Sequence, residues 1–559
     1  MRDSVSILIG GSAGQGIASI ETLLTKGFKR SGFYTFSTKE FMSRVRGGSN
    51  TTLIRISNKP INAPDFKVDI FVPLDTNAFF HAQERITKET FVIGKKGDFE
   101  CDCILYDHDL PALAKSIGSP IVSNTIAAAL VFGLLGCDGA VLREIVSEFY
   151  TDELLEMNLK ALDIGTELAH ENGNCRYCIE PNPSMKENND FFLSGTEGVG
   201  FGAIAGGCNF ISSYPMSPST GVLTFLAKQS KNFGICVEQA EDEIAAFQMG
   251  LGVWYGGGRA ITTTSGGGFA LMGEGLSLSG ITETPMVVYL AQRPGPATGL
   301  PTRTEQGDLE LAIYSGHGEF PRIVLAPSDV RECFELARKA FELADAYQVP
   351  VILMSDQYLA DSYFTVERFE IDPISPPHHI VKTDADYKRY LLTQEGISPR
   401  GIPGYGEGLV LVDSDEHTQE GLITESMSVR NEQNGKRLKK IELISKEAII
   451  PEVDGDGDIA VVGWGSTKYI IKEAVERIGD ERVSVIHFSW VHPLSESQLA
   501  LLREGKQIVV VENNATGQFA KLLRAHGIAI HAQILKSDGL PFFADELSEQ
   551  LASALKEIL

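Results

Sequence analysis

The chain has 559 residues, 43% hydrophobic and 22% charged, an ordinary globular composition that is too long for one core and suggests about three or four domains. A formal charge of −25 excludes nucleic acid as a general partner, because polyphosphate binding wants a basic face. The charge is uneven: residues 1–60 carry nine Lys+Arg against Asp3, Glu21 and Glu40, a balance of +6, so the other 499 residues carry −31.

At the N-terminus, "VSILIGGSAGQGIASIETLLTKGFKRSG" reads as a strand, a glycine loop and a helix from about Gln15. The apolar start is too short and too soon broken by glycine to be a signal peptide. Gly11, Gly14 and Gly16 lie between strand and helix, where glycines let the backbone approach a ligand and a helix N-terminus favours an anion. The order is not G-x-G-x-x-G, and no downstream strand-ending acid stands ready for a ribose. With Arg44 and Arg46 of "SRVRGGSN" and the +6 balance, two readings are equal: a tight turn, or an anion or partner surface using Gly14, Gly16, Arg44 and Arg46.

Further strands at "VDIFVPLD", "TFVIGKK" and "DCILYD" alternate with helices over 124–135 and 142–170, the pattern of a parallel sheet covered on both sides. The most apolar stretch, residues 126–137, falls short of the roughly 20 residues that span a bilayer. Cys101-x-Cys103 and Cys175-x-x-Cys178 have no second pair at ligand spacing, so they read as chance pairs or exposed dithiols, and no metal site is expected. Eight scattered cysteines and no leader indicate a cytoplasmic protein.

Residues 171–192 are polar, with two prolines and five asparagines, and read as a linker. A second α/β unit begins at Leu193, with strands at 209–213, 259–264, 285–291, 322–326 and 349–355. Its helices include 240–255 and 328–346, the latter with Ser328 as expected N-cap. "SSYPMSPSTG" follows the first of these strands; two prolines forbid helix interior and leave a stiff, hydroxyl-lined loop. In "EQAEDEIAAFQMG", acids open a helix whose Ile244, Phe247 and Leu251 suggest a buried face. Glu243 could sit at its edge, where a partly buried carboxylate can trade a proton with a cofactor nitrogen. The bland alternative is a first-turn acid complementing the helix dipole. "TTTSGGGFALMGEG" has strand-to-helix geometry suited to phosphate or close backbone approach. "QRPGPATGLPTRTEQGDL" presents Arg303, able to hold a carboxylate bidentately or to pair with Glu305 or Asp308 on the surface.

Residues 372–450 read as irregular. A third α/β unit follows, with strands 458–463, 483–487 and 507–512, a helix over 467–478, and a capping box Ser495-x-x-Gln498. "DGDGD" at 454–458 is a decoy for the thiamine diphosphate GDG motif: it precedes a strand, and Asn513-Asn514 come too far downstream.

Taken together, "GGSAGQGI", "SRVRGGSN", "YPMSPST", "QAEDEIAA", "TTTSGGGFALMGEG", "ETPMVVYLAQRPGPATGLPTRTEQGDL" and "VVENNATGQ" resemble, in order, the 2-oxoacid:ferredoxin oxidoreductase α subunit with a γ domain fused at its N-terminus. The resemblance covers nearly the whole chain and implies an α/β protein of three domains in series. These are a γ-type α/β domain (1–175), a linker (176–192), a thiamine-enzyme pyrimidine-binding-type domain (193–371), an irregular connection (372–455) and a transketolase C-terminal-like domain (456–559). It implies oxidative decarboxylation of a 2-oxoacid with coenzyme A to acyl-CoA, CO2 and reduced ferredoxin, in a hetero-oligomer such as (αβ)2.

Thiamine diphosphate would be shared with a β subunit bringing the GDG motif, Mg2+ and a [4Fe-4S] cluster. Glu243 matches the acid that hydrogen-bonds the aminopyrimidine, with Ser265 and Gly266 as further cofactor-binding positions. Ser217 stands where the family has the substrate-binding threonine of "YPITP"; Arg303 matches an arginine holding the 2-oxoacid carboxylate, and Tyr214 and Thr298 join the substrate candidates. Serine keeps the donor but loses a methyl group, leaving the rotamer less fixed. The fused layout points to 2-oxoglutarate, for whose second carboxylate Arg293 is an unplaced cation; Gly14, Gly16, Arg44 and Arg46 could serve coenzyme A or acidic ferredoxin. Pyruvate or a branched 2-oxoacid is the nearest rival substrate, and a non-catalytic scaffold is the rival from another class.

Overall fold

The computed structural model describes residues 3–42, 48–171, 177–186, 190–368, 378–503 and 505–558. Two compact units emerge: residues 1–193 with 362–368 and 543–549, and residues 194–361 with 369–542 and 550–559.

The first unit is built on an eight-stranded sheet. Its strands run in the order Ile104–Asp107, Phe91–Gly94, Ile70–Pro73, Ser4–Ser12, Ser49–Ser57, Tyr34–Glu40, Tyr363–Val366 and Phe191–Ser194. The first four are parallel; Ser49–Ser57 and Tyr34–Glu40 add antiparallel neighbours. Helices Ile17–Arg30 and Ser123–Leu134 share one apolar cluster, in which Phe28 stacks on Phe132 at 5.3 Å. The helix expected over 142–170 is two helices, Gly139–Phe149 and Asp152–Glu171, because Asp152 adopts φ 53° and interrupts the ladder. Cys101 and Cys103 are joined in a disulfide, whereas sequence left them as a chance pair or dithiol; Cys175 lies outside the described residues.

In the second unit a seven-stranded sheet has the order Trp490–His492, Ile323–Leu325, Pro350–Asp356, Met286–Gln292, Ala260–Thr264, Phe210–Ser213 and Cys236–Gln239. All are parallel except Trp490–His492, an antiparallel strand that covers one edge. A five-stranded sheet follows: Glu452–Asp454, Val483–Phe488, Ile459–Trp464, Gln507–Glu512 and Ala532–Leu535. The capping box forms as expected, the Gln498 N–H donating to Ser495 Oγ at 3.2 Å and the Ser495 N–H to Gln498 Oε1 at 2.8 Å.

Two expectations are corrected here. The helix Val330–Tyr347 is capped by Asp329, whose carboxylate accepts from the Glu332 N–H at 2.8 Å, and Ser328 stands one residue too early. The stretch read as irregular contains the 20-residue helix Met427–Lys446. It escaped notice because the face it buries is polar: Gln433, Lys436, Arg437 and Lys440, with only Ile444 apolar.

The buried lysines converge on Glu283, whose carboxylate pairs with Lys436 at 2.7 Å and Lys440 at 2.6 Å. Burial alone would raise the Glu283 pKa, but Lys440, Lys436 and Arg389 outweigh it and hold the carboxyl far below the usual carboxylate range.

Candidate active site

Four neighbouring parallel strands of the seven-stranded sheet end at one edge, where an open α/β sheet binds its ligands. Their exits are the 214–219 loop, the 240–242 turn into a helix, Ser265, and the long 293–308 loop. Nearly every residue singled out in this half of the sequence therefore belongs to one rim.

Asp242 caps the helix Glu243–Tyr255 by accepting from the Ala245 N–H at 2.7 Å. Glu243, the first helical residue, is 3% exposed, and its Oε1 has no hydrogen-bond partner. The expected apolar face is rotated: Phe247, Leu251 and Trp254 are buried, whereas Ile244 is 48% exposed. The turn takes Glu243 inward, and a carboxylate occupies the place that periodicity gave to isoleucine. Opposite it, a Cβ at Gly268 would lie 2.6 Å from Glu243 Oε1, so this glycine is what lets the carboxylate approach the next turn. Ser265 Oγ is also buried without a partner. Orphaned buried oxygens are costly unless something pairs with them. An acceptor and a hydroxyl beside a glycine wall fit the ring nitrogen and amino group of an aminopyrimidine.

On the neighbouring loop, Tyr214 and Ser217 are exposed. Ser213 Oγ donates to the Thr263 carbonyl at 2.7 Å and Ser219 Oγ to the Met216 carbonyl at 2.7 Å, pinning the loop at both ends. The Ser217–Pro218 peptide is cis, and the Ser217 carbonyl accepts from the Arg293 guanidinium at 2.8 Å. Sequence left Arg293 unplaced; the structure sets it against the hydroxyl loop. Thr298 is exposed further along the 293–308 loop. Arg303 is half-buried, its N–H donating to the Leu300 carbonyl at 3.1 Å and its stem lying over Gly539.

The base of this loop is clamped by the five-stranded sheet. Gln306, fully buried, donates from its backbone to the Asn513 carbonyl at 2.6 Å and from Nε2 to the Trp464 carbonyl at 2.9 Å. Its Oε1 accepts from the Asn513 N–H at 3.0 Å and its carbonyl from Asn514 Nδ2 at 3.2 Å. The Glu512 carboxylate accepts from the N–H groups of Phe519 and Ala520 at 2.8 and 2.9 Å, fixing the same turn. "VVENNATGQ" is thus a clasp on the active-site loop, a role that spacing alone did not reveal.

Asp308, expected only as a possible surface partner of Arg303, has its carboxylate buried. Its N–H donates to Gln292 Oε1 at 3.0 Å, its Oδ2 is buried without a partner, and a Cβ at Gly266 would collide with its carboxylate. Burial and the neighbouring Glu305 push its pKa up to about 7, against the pull of Arg293.

In the first unit, Gly14 and Gly16 line a cleft of about 750 Å3 at the carboxyl ends of the parallel strands. Gly16 adopts φ 85°, and a side chain there would collide with Asn124 Nδ2, which donates to the Gln15 carbonyl at 3.0 Å. Asp75, Asp98 and Asp109 line the cleft with Lys95 and His108, so its walls are not basic. Part of the positive charge of residues 1–60 is instead paired within the protein, as Arg55–Asp65 and Lys39–Glu21. Arg44 and Arg46 lie outside the described residues. Among the described residues no cluster of His, Cys, Asp and Glu could hold a metal ion, and no helix is long and apolar enough to cross a membrane.

Two family models match the chain: "Pyruvate ferredoxin/flavodoxin oxidoreductase" over residues 6–168 and "Pyruvate flavodoxin/ferredoxin oxidoreductase, thiamine diP-bdg" over residues 201–436. Fold and family models together define a thiamine diphosphate-binding oxidoreductase. The 2-oxoacid:ferredoxin oxidoreductase subunit alpha of a Sulfolobus species is 32% identical, over 99% of this chain and 97% of its own. The 2-oxoglutarate oxidoreductase subunit KorA of Mycobacterium tuberculosis is 32% identical, over 72% of this chain and 63% of its own. The solved 2-oxoglutarate:ferredoxin oxidoreductase of Magnetococcus marinus, with 2-oxoglutarate, coenzyme A and succinyl-CoA bound, is 30% identical and superposes with a TM-score of 0.94 over 99% of this chain and 100% of its own. The chain belongs to the alpha subunits of the 2-oxoacid:ferredoxin oxidoreductases.

Proposed function

We propose that this chain is the pyrimidine-binding half of a cytoplasmic 2-oxoglutarate:ferredoxin oxidoreductase, completed as a hetero-oligomer such as (αβ)2. Its partner β subunit would carry the GDG motif, Mg2+ and a [4Fe-4S] cluster. The observation that carries the catalytic reading is Glu243, a fully folded-in carboxylate whose Oε1 has no partner and faces a wall of glycine.

Thiamine diphosphate, when bound, supplies the electron sink that lets a 2-oxoacid lose CO2. The work of this chain is to prepare and orient. Glu243 Oε1 would accept a proton from, and return it to, the aminopyrimidine ring nitrogen. Ser265 Oγ and the Gly266 turn would complete that end of the pocket. Arg293, braced by the Ser217 carbonyl, offers its guanidinium to the substrate carboxylate beside the Ser217 hydroxyl, with Tyr214, Thr298 and Arg303 on the same rim. Domain limits of 1–175, 193–371 and 456–559, joined by 176–192 and 372–455, remain the proposed division, although Tyr363–Val366 joins the first sheet, Trp490–His492 the second and Glu452–Asp454 the third. The glycine cleft, with Arg44 and Arg46 nearby in sequence, is the place for coenzyme A or for docking ferredoxin.

The names and titles of the Mycobacterium relative and the Magnetococcus structure favour 2-oxoglutarate. A second reading, pyruvate, draws support from the descriptions of both family models. The test is anaerobic: the chain is copurified with its partner and assayed for coenzyme A-dependent viologen reduction across a panel of 2-oxoacids. Reduction confined to 2-oxoglutarate is expected; preference for pyruvate or branched acids would move the specificity, and inactivity of a cluster-bearing complex would favour a scaffold.

A further inference from the structure

The disulfide of the first unit sits at the edge of the glycine cleft. Strand Phe91–Gly94 passes into strand Ile104–Asp107 through residues 95–103, and Gly94, Lys95, Asp98 and Phe99 line the cleft. The Phe99 ring stacks on Phe79 at 4.2 Å and lies so close to Gly94 that a Cβ there would come within 2.5 Å of it. At its start the connection is tied down by the Lys96 N–H, which donates to Asp107 Oδ1 at 2.7 Å, and by Lys95, which pairs with Asp109 at 3.1 Å. At its end stands the Cys101–Cys103 bridge, with Cys103 packed on the apolar cluster that also receives Phe99.

As a staple for the whole fold this bridge does little. The stabilisation a disulfide gives grows with the loop it closes, and this loop holds one residue, Asp102. What the bridge fixes is local, the path of the chain between Phe99 and the strand Ile104–Asp107. Cys101 is exposed and Cys103 half-buried, so a thiolate from outside can reach the Cys101 sulfur, and exposed bridges are the ones that exchange.

We propose that Cys101–Cys103 is a thiol–disulfide exchange site that sets one wall of the cleft, with a dithiol as its reductant. One thiolate of the dithiol attacks Cys101 Sγ, the Cys101–Cys103 bond breaks, and Cys103 leaves as a thiolate that takes a proton from solvent. The second thiolate of the reductant then attacks its own sulfur in the mixed disulfide, and Cys101 leaves in the same way. The chain gains two electrons and two protons, and the dithiol becomes a disulfide. Bridged, the connection holds Phe99 on Phe79 as a ready-made wall. Reduced, residues 100–103 have more conformations open to them, and a ligand must order that wall as it binds, which weakens binding. Coenzyme A as the probe rests on the use proposed above for this cleft.

The test is made anaerobically on the two-subunit complex, equilibrated with oxidised or with reduced dithiothreitol and then freed of reagent. Thiol alkylation with peptide mass spectrometry reads the state of Cys101 and Cys103. Amide hydrogen exchange reads residues 95–100, and titration calorimetry without 2-oxoacid reads the Kd for coenzyme A. Reduction should expose both thiols, speed exchange over 95–100 and raise the Kd about 2- to 10-fold. Cys101→Ser, a change at an exposed position, should match reduced wild type after either treatment. A bridge that dithiothreitol leaves intact, exchange over 95–100 that is equal in the two forms, or a Cys101→Ser complex that still responds to dithiothreitol would overturn the proposal. Faster exchange with an unchanged Kd would support the exchange site and take coenzyme A out of the cleft.

Discussion

On the proposed function Glu243 and Arg293 divide the labour of the rim, and each would have a distinct kinetic signature. Glu243→Gln keeps the shape and a hydrogen-bonding group but removes the proton shuttle. Its kcat should fall by about 10²–10⁴-fold with the KM for the 2-oxoacid little changed. Arg293→Ala removes a charge-assisted contact worth about 1.5–3 kcal/mol, so kcat/KM should drop by about 10- to 100-fold, chiefly through KM. The same change at Arg303 separates the two arginines: an unchanged KM would remove Arg303 from the substrate pocket. Ser217→Thr restores the family's methyl group, and a lower KM with a stiffer preference among 2-oxoacids is expected from steady-state assays across the panel.

At the scale of elements, the helix Met427–Lys446 depends on an ion cluster where most helices depend on leucines. Glu283→Gln leaves Lys436 and Lys440 buried with no carboxylate, and should cost about 3–5 kcal/mol in urea unfolding of the chain. The sign with pH follows from the depressed Glu283 carboxyl. Its contribution is present above the unfolded carboxylate value, about 4.3, and is lost as pH falls below it. Glu416, lowered to about 2 by Arg437 and Arg430 against the effect of burial, loses its contribution over the same acid range. Circular dichroism between pH 6 and 3 should therefore report acid loosening that is reduced in the Glu283→Gln variant to the part that Glu416 supplies. Gln306→Ala, which removes two side-chain bonds of the clasp, should lower stability by about 1–3 kcal/mol and raise the KM for the 2-oxoacid by freeing the loop below Arg293.

For the whole molecule, what sequence revealed and what it hid divide along physical lines. Parallel buried strands write themselves as short apolar runs, so the five predicted strands of the second unit match the structure within a residue or two. Loops at strand ends write themselves as proline and glycine, which is why the loops bearing Ser217 and Ser265 could be located in advance, while the roles proposed for them and for Glu243 come from the family resemblance. What stayed hidden depends on distant partners. Arg293 acquires meaning only from the Ser217 carbonyl, 76 residues away in sequence, and Asp308 only from the Gly266 turn. The helix Met427–Lys446 buries lysines that hydropathy assigns to solvent. Residues 363–366 join a sheet whose neighbouring strand is 34–40, a pairing no local pattern encodes. Within the positive balance of residues 1–60, Arg55 and Lys39 are spent on the pairs Arg55–Asp65 and Lys39–Glu21, which composition could not show.

On the proposed function this chain supplies the carboxylate that activates a cofactor shared with a second subunit. The direct measurement is deuterium exchange at the C2 carbon of thiamine diphosphate in the anaerobic two-subunit complex, followed by rapid acid quench and NMR. Exchange should be fast in the wild-type complex and about 10²-fold or more slower in Glu243→Gln with the cofactor still bound. Equal exchange rates in the two complexes would take Glu243 out of the catalytic site.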